Sequence, residues 1–132
     1  MRLIEKYTYA DYASLSDFME NYSVNVPSSF NFAYDVIDEY AHFAPGQRAM
    51  IWVNEAGETH MFTFGDMKRL SDKAANVLAG NGIRKGDVVM TTLRSMYHYW
   101  IIALAAHKLG AVLVPAVHLL MPKDLIYRLI VV

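Results

Sequence analysis

The sequence predicts an α/β fold, and three observations carry that reading. Amphipathic helical patterns alternate with short runs of strand formers. One strand–helix–strand succession falls within about 30 residues, the length of a βαβ unit. "GAVLVPAV" at 110–117 is a continuous apolar run, the signature of a strand buried on both faces of a parallel sheet.

The elements follow in chain order. Residues 9–22, "YADYASLSDFMENY", predict a short helix with Tyr12, Leu15, Phe18, Met19 and Tyr22 on one side. "NVPSSFN" breaks it, because Pro27 and two serines favour turn structure. Residues 31–44 predict a second helix, with Phe32, Val36, Ile37, Tyr40, Ala41 and Ala44 at helical spacing and Asn31 as its N-cap. Arg48–Val53 and Thr59–Phe64 predict a β-hairpin around the polar turn "NEAGE". A third helix spans about 66–80, with Met67, Leu70, Ala74, Val77 and Leu78 as its buried face. Lys68, Arg69, Asp72, Lys73 and Asn76 face water in that reading. "GNGIRKGD" ends the helix, Gly80 or Gly82 supplying the left-handed residue of its cap. "DVVMTTL" at 87–93 is a strand and "MYHYWIIALAAHKL" at 96–109 a largely buried helix. A last helix opens at Pro122, a residue suited to a first helical turn. The hairpin and the βαβ unit together predict a mostly parallel sheet.

Bulk composition narrows the function. The chain has 132 residues, enough for one domain. It is 55% hydrophobic and 19% charged, which excludes intrinsic disorder. Its net charge of -1 gives no electrostatic footprint for nucleic acid or an anionic membrane. Without cysteine there is neither a disulfide nor a thiolate nucleophile. The longest uncharged stretch, Leu109 to Pro122, is shorter than the roughly 20 apolar residues a bilayer span needs. No secretory leader is visible, and the expected location is cytoplasmic.

No self-sufficient active site emerges from the residues. "GNG" at 80–82 is half of a dinucleotide fingerprint but follows a helix and precedes a strand, the reverse of what a phosphate on a helix N-terminus needs. "RKGD" at 84–87 could grip a phosphate, but its place between helix and strand favours a geometric role for Gly86 and Asp87. His98 and His107 are nine residues apart, which on a helix is over 13 Å at about 1.5 Å per residue, too far for one metal. No histidine accompanies a G-x-S-x-G elbow. Asp35, Asp38 and Glu39 cluster on what reads as a solvated helix face, where nothing would tune them as acid and base. Tyr97, Tyr99 and Trp100 read as core or lid packing.

The run "FTFGDMKRLSDKAANVLAGNGIRKGDVVMTTLRSMYHYWIIALAAHKLGAVLVPAVHLLMPKDLIYRL" resembles the amino-terminal part of the adenylate-forming superfamily. The pattern is an aromatic-Thr-aromatic start, an amphipathic helix, "G-I/V-x-K-G-D", a strand, a buried helix, "K-x-G-A-V/I-x-x-P", and a helix with "L-x-Y-R". Each piece stands here in order, with arginine preceding the lysine of "GIRKGD". Upstream, "NFAYDV" at 31–36 is similar to the acetyl- and medium-chain acyl-CoA synthetase branch. The resemblance covers about residues 15–129.

It implies an incomplete N-terminal subdomain of the adenylate-forming fold: a leader with a short helix over 1–30, and over 31–132 a partial AMP-binding large domain that stops before the phosphate loop. It also implies a ligase that joins a carboxylic acid to ATP as an acyl-adenylate and then to coenzyme A. The family's Ser/Thr/Gly-rich phosphate loop, its "Y/F-G-x-T-E" and "T-G-D" segments and its C-terminal lysine have no matching strings here. No catalytic, cofactor-binding or metal residue is therefore assigned. ATP, magnesium and CoA belong to the full-length parent, and this chain is expected to be structural. The aliphatic ending "LIVV" departs from the pattern and reads as a truncation, whether from a fragmentary gene, a frameshift or a shortened expression product. The expected partners are the remainder of the synthetase and further copies of the chain. The alternative is a stand-alone interaction module that adds a strand to another protein's sheet edge. A flavodoxin-like or receiver domain fits poorly, since "MTTLRS" at 90–95 offers neither an acidic cluster nor a phosphate loop.

Overall fold

The computed structural model describes residues 3–8 and 11–131. The chain divides into two compact units, residues 1–30 and residues 31–132.

In the first unit, a 3-10 turn at Leu3–Lys6 precedes helix α1, Leu15–Asn21. The predicted helix was longer, but its positions 9 and 10 lie outside the described residues. Ser14 sets the start of α1 by accepting the Asp17 N–H at 3.1 Å. Tyr12, Phe18 and Tyr22 gather as a ring cluster, with centroids 5.2 and 4.8 Å apart. Leu15 and Met19, predicted on the same side, are exposed instead. Seven residues make too short a helix to bury a full stripe.

The second unit begins with a wide helical turn. Residues Ala33–Asp38 are π-helical, and α-helix α2 occupies only Glu39–Phe43. Asn31 caps the segment, its Oδ1 accepting the Ala33 N–H at 3.0 Å. Strands β1 (Arg48–Val53) and β2 (Thr59–Thr63) pair antiparallel with a register shift between Arg48 and Met50. Gly57, at φ +80°, closes the turn between them.

Helix α3, Phe64–Gly80, starts directly where β2 ends. Thr63 is both the last strand residue and the N-cap, in a reciprocal capping box with Asp66. The buried face of α3 is Met67, Ser71 and Ala75, with Leu70, Ala74 and Leu78 partly buried. Val77, predicted inside, is 63% exposed. The true stripe advances in steps of four residues from Met67, which carries it past Val77 and through Ser71.

Strand β3 (Val88–Thr91), helix α4 (His98–Leu109) and strand β4 (Val112–Pro115) form the βαβ unit, with β3 and β4 parallel and in register from Val88–Val112 to Thr91–Pro115. Gly110 ends α4 at φ +68°. Helix α5, Pro122–Val131, follows. It continues through Leu129, Ile130 and Val131, so those aliphatics are helical positions. The core centres on Ala33, Met67, Ile101 and Leu104, joined by Met50, Phe62, Leu70 and Tyr97.

The expectation of one mostly parallel sheet is corrected. Among the described residues there are two separate two-stranded sheets, one antiparallel and one parallel. β1 pairs with β2 and β3 with β4, and no described strand bridges the two pairs.

Candidate functional site

The buried centre of charge is Lys108, on the inner face of α4. Its side chain is 2% exposed, and its Nζ lies 2.8 Å from Asp38 Oδ1 and 2.5 Å from Asp72 Oδ1. Lys68 closes the network from the surface, 2.7 Å from Asp72 and 3.5 Å from Asp38. Tyr34 places its ring 5.5 Å from the Lys108 ammonium. Three segments are joined in this way: the π-helical turn, α3 and α4. Burial alone would raise the Asp72 pKa, but the hydrogen bonds from Lys108 and Lys68 outweigh it and hold the carboxyl below its ordinary value. The hydrogen bond to Asp72 leads the effects that raise Lys68.

This centre corrects the reading of the carboxylates. Asp72 keeps the exposure expected of it, with 40% of its side chain open to solvent, but Asp38 does not. The wide turn at 33–38 instead carries Asp38 inward, where its side chain is 14% exposed. A lysine two residues before a helix-ending glycine gave a sequence signal only through the "K-x-G-A-V" pattern. Its partners, 70 and 36 residues away, could not be read from spacing.

A cleft of about 350 Å³ opens beyond the carboxyl ends of β3 and β4, lined by Thr91, Ser95, Tyr99, Ala116 and His118 among others. Ligands in open α/β sheets bind on that side. Thr91 is 7% exposed, and its Oγ1 is buried with no hydrogen-bond partner. A second cleft lies between the hairpin turn and the segment after β3, lined by Trp52, Glu55, Glu58, Arg94 and Ser95 among others. Ser95 borders both.

The remaining sequence candidates scatter. Gly82 takes φ +96° in the turn after α3, and Arg84 donates to the Ala79 and Ile83 carbonyls at 2.8 and 3.0 Å. Asp87 accepts the Arg84 backbone N–H at 2.7 Å, so "RKGD" closes a helix end. His98 stacks on Tyr97, and His107 packs beside Phe32. His60 pairs with Glu58 at 2.9 Å and joins the rings of Trp52, Phe62 and Tyr97. Trp100 is 56% exposed, so it is no part of the core. Among the described residues no three His, Asp or Glu side chains converge as a metal site.

Residues 37–131 match the family model of the AMP-binding enzyme. The chain is 40% identical over 110 residues to the mouse protein named acyl-coenzyme A synthetase ACSM5, mitochondrial, covering 79% of this chain and 19% of the relative. It is 30% identical over 128 residues to the human acyl-coenzyme A synthetase ACSM3, mitochondrial, covering 92% and 22%. The structure is similar to that of a Mycobacterium tuberculosis fatty acyl CoA synthetase, with a TM-score of 0.66 and 27% identity over 75% of this chain and 19% of that one. The chain thus spans about a fifth of the length of these relatives. The expectation of a cytoplasmic protein is overturned, because both sequence relatives are mitochondrial. It rested on seeing no secretory leader and no membrane span, and neither bears on import into an organelle.

Proposed function

This chain belongs to the AMP-binding enzyme family, and from that membership we propose that it forms amino-terminal scaffold of an ATP-dependent acyl-CoA synthetase. The supporting observation is its 40% identity to an acyl-coenzyme A synthetase over 110 residues. In that reaction a carboxylate oxygen attacks the α-phosphorus of ATP, releasing pyrophosphate and leaving an acyl-adenylate. The thiol of CoA then attacks the acyl carbon, and AMP departs as the thioester forms.

This chain's share is structural. Lys108 and Lys68 together balance the carboxylates of Asp38 and Asp72, which leaves the four side chains to fix the helices around the βαβ unit. The cleft beyond β3 and β4 then contributes one wall of the assembled enzyme's interior. ATP, magnesium and CoA are held by the rest of the synthetase. Ile126, Leu129 and Ile130 are exposed on α5, and each offers about 1.5–3 kcal/mol on burial, which favours self-association of the chain alone.

The test is turnover. The purified chain, supplied with a medium-chain carboxylic acid, ATP, magnesium and CoA, releases no AMP above background. Steady AMP release by the chain alone would overturn the scaffold reading.

A further inference from the structure

Ser95 is the only non-glycine residue among those described whose φ is positive, at +42°. Left-handed backbone disfavours an L-residue because its Cβ crowds the following carbonyl. Such a conformation persists only where the surroundings hold it. One contact accounts for that: the indole Nε1–H of Trp52 donates to the Ser95 carbonyl oxygen at 2.7 Å. Trp52 sits on β1, 43 residues earlier, and its ring is held edge-on to Tyr97 at 5.4 Å and beside His60 at 5.6 Å.

The place of this contact matters. Ser95 lies between β3 and α4 and borders both clefts, while Trp52 borders only the one beside the hairpin. We infer that Trp52 is a positioning residue: its indole latches the β3–α4 turn in the left-handed conformation and so sets the wall between the strand-end cleft and the hairpin cleft. The hairpin is thereby tied to the mouth of the βαβ unit by a side chain. This goes beyond the scaffold reading, because it names the bond that shapes the cleft and holds whether or not the parent is a synthetase.

The experiment uses the 132-residue chain labelled with nitrogen-15. In the unmodified protein, the Ser95 amide shows the strong intraresidue contact to Hα that a positive φ produces. The Trp52 indole N–H, assigned with Trp100→Phe, exchanges slowly with solvent. Trp52→Phe keeps an aromatic ring but removes the donor. It weakens the Ser95 signature and speeds exchange of the turn amides by about fivefold, the factor one neutral hydrogen bond supplies. Adding Ser95→Gly to Trp52→Phe restores slow exchange, because glycine takes a positive φ without a Cβ penalty. A lesion of general packing would show no such rescue. An unchanged Ser95 signature in Trp52→Phe overturns the latch. If that variant does not fold, fast exchange of the Trp52 indole in the unmodified chain overturns it equally.

Discussion

The ammonium of Lys108 lies 2.8 Å from the carboxylate of Asp38, across 70 residues of sequence. Lys108 is nearly the last residue of α4, and Asp38 closes the π-helical turn before α2. Their meeting, with Asp72 as the third member, converts three separate helical segments into one unit.

Lys108→Met tests that centre. Methionine matches the aliphatic stem but leaves Asp38 and Asp72 converging without their shared cation. Breaking a buried pair costs roughly 3–5 kcal/mol, and the partial exposure of Asp72 places the loss near the lower end, about 3 kcal/mol. Urea denaturation of the two proteins measures it. Double replacement of Asp38 and Asp72 by Asn in the Lys108→Met background should recover part of the loss.

The acid limb of stability should follow Asp66 and Asp72. Side-chain and backbone hydrogen bonds with Thr63 depress Asp66 below its ordinary 3.8, and the two lysines depress Asp72. A folded pKa below the unfolded one gives stability that is present above about 3.8 and is lost as pH falls through the folded value. Asp66→Asn should therefore be less stable than the parent at neutral pH, with the gap shrinking as pH falls below that value. Lys68 has the opposite sign: its raised pKa supports the fold below about 10.5 and ceases to as pH rises through the folded value. Denaturation midpoints across the pH range check both.

Thr63→Ala removes the side chain that accepts the Asp66 N–H at 3.1 Å. Loss of such a cap costs about 1 kcal/mol. Because Thr63 also ends β2, amide exchange should accelerate on both sides of it, in the first turn of α3 and in the final residues of the strand.

Gly110→Ala meets two penalties. The backbone is at φ +68°, and a Cβ would stand 3.0 Å from Lys85 Cγ. The left-handed conformation alone costs roughly 1–2 kcal/mol for alanine. Gly46→Ala is the control, since a Cβ there meets nothing within 4 Å and no positive φ is imposed. Thermal denaturation should separate the two variants clearly.

Local patterns made much of this fold legible. The hairpin was visible from strand formers around "NEAGE", and α4 from its apolar density. The turn after α3 was visible from its glycines. What spacing missed was tertiary. Ser71 is completely buried, yet a serine in an amphipathic helix carries no inward signal of its own. Asp38 looked solvated because charged residues usually are, and nothing local marked Lys108 as its partner. Only the fold brings their partners, and the π-helical turn that delivers Asp38 has no periodic signature. The cleft beyond β3 and β4 was hidden for the same reason: Thr91, Ser95 and His118 are ordinary in sequence and meet only at the strand ends. The family resemblance, by contrast, was readable because it rests on ordered local motifs.

The most direct test of the scaffold reading is calorimetric titration of ATP with magnesium into the purified 132-residue chain. The reading predicts no heat of binding beyond dilution. Stoichiometric binding with micromolar affinity would contradict it and place a complete nucleotide site within these residues.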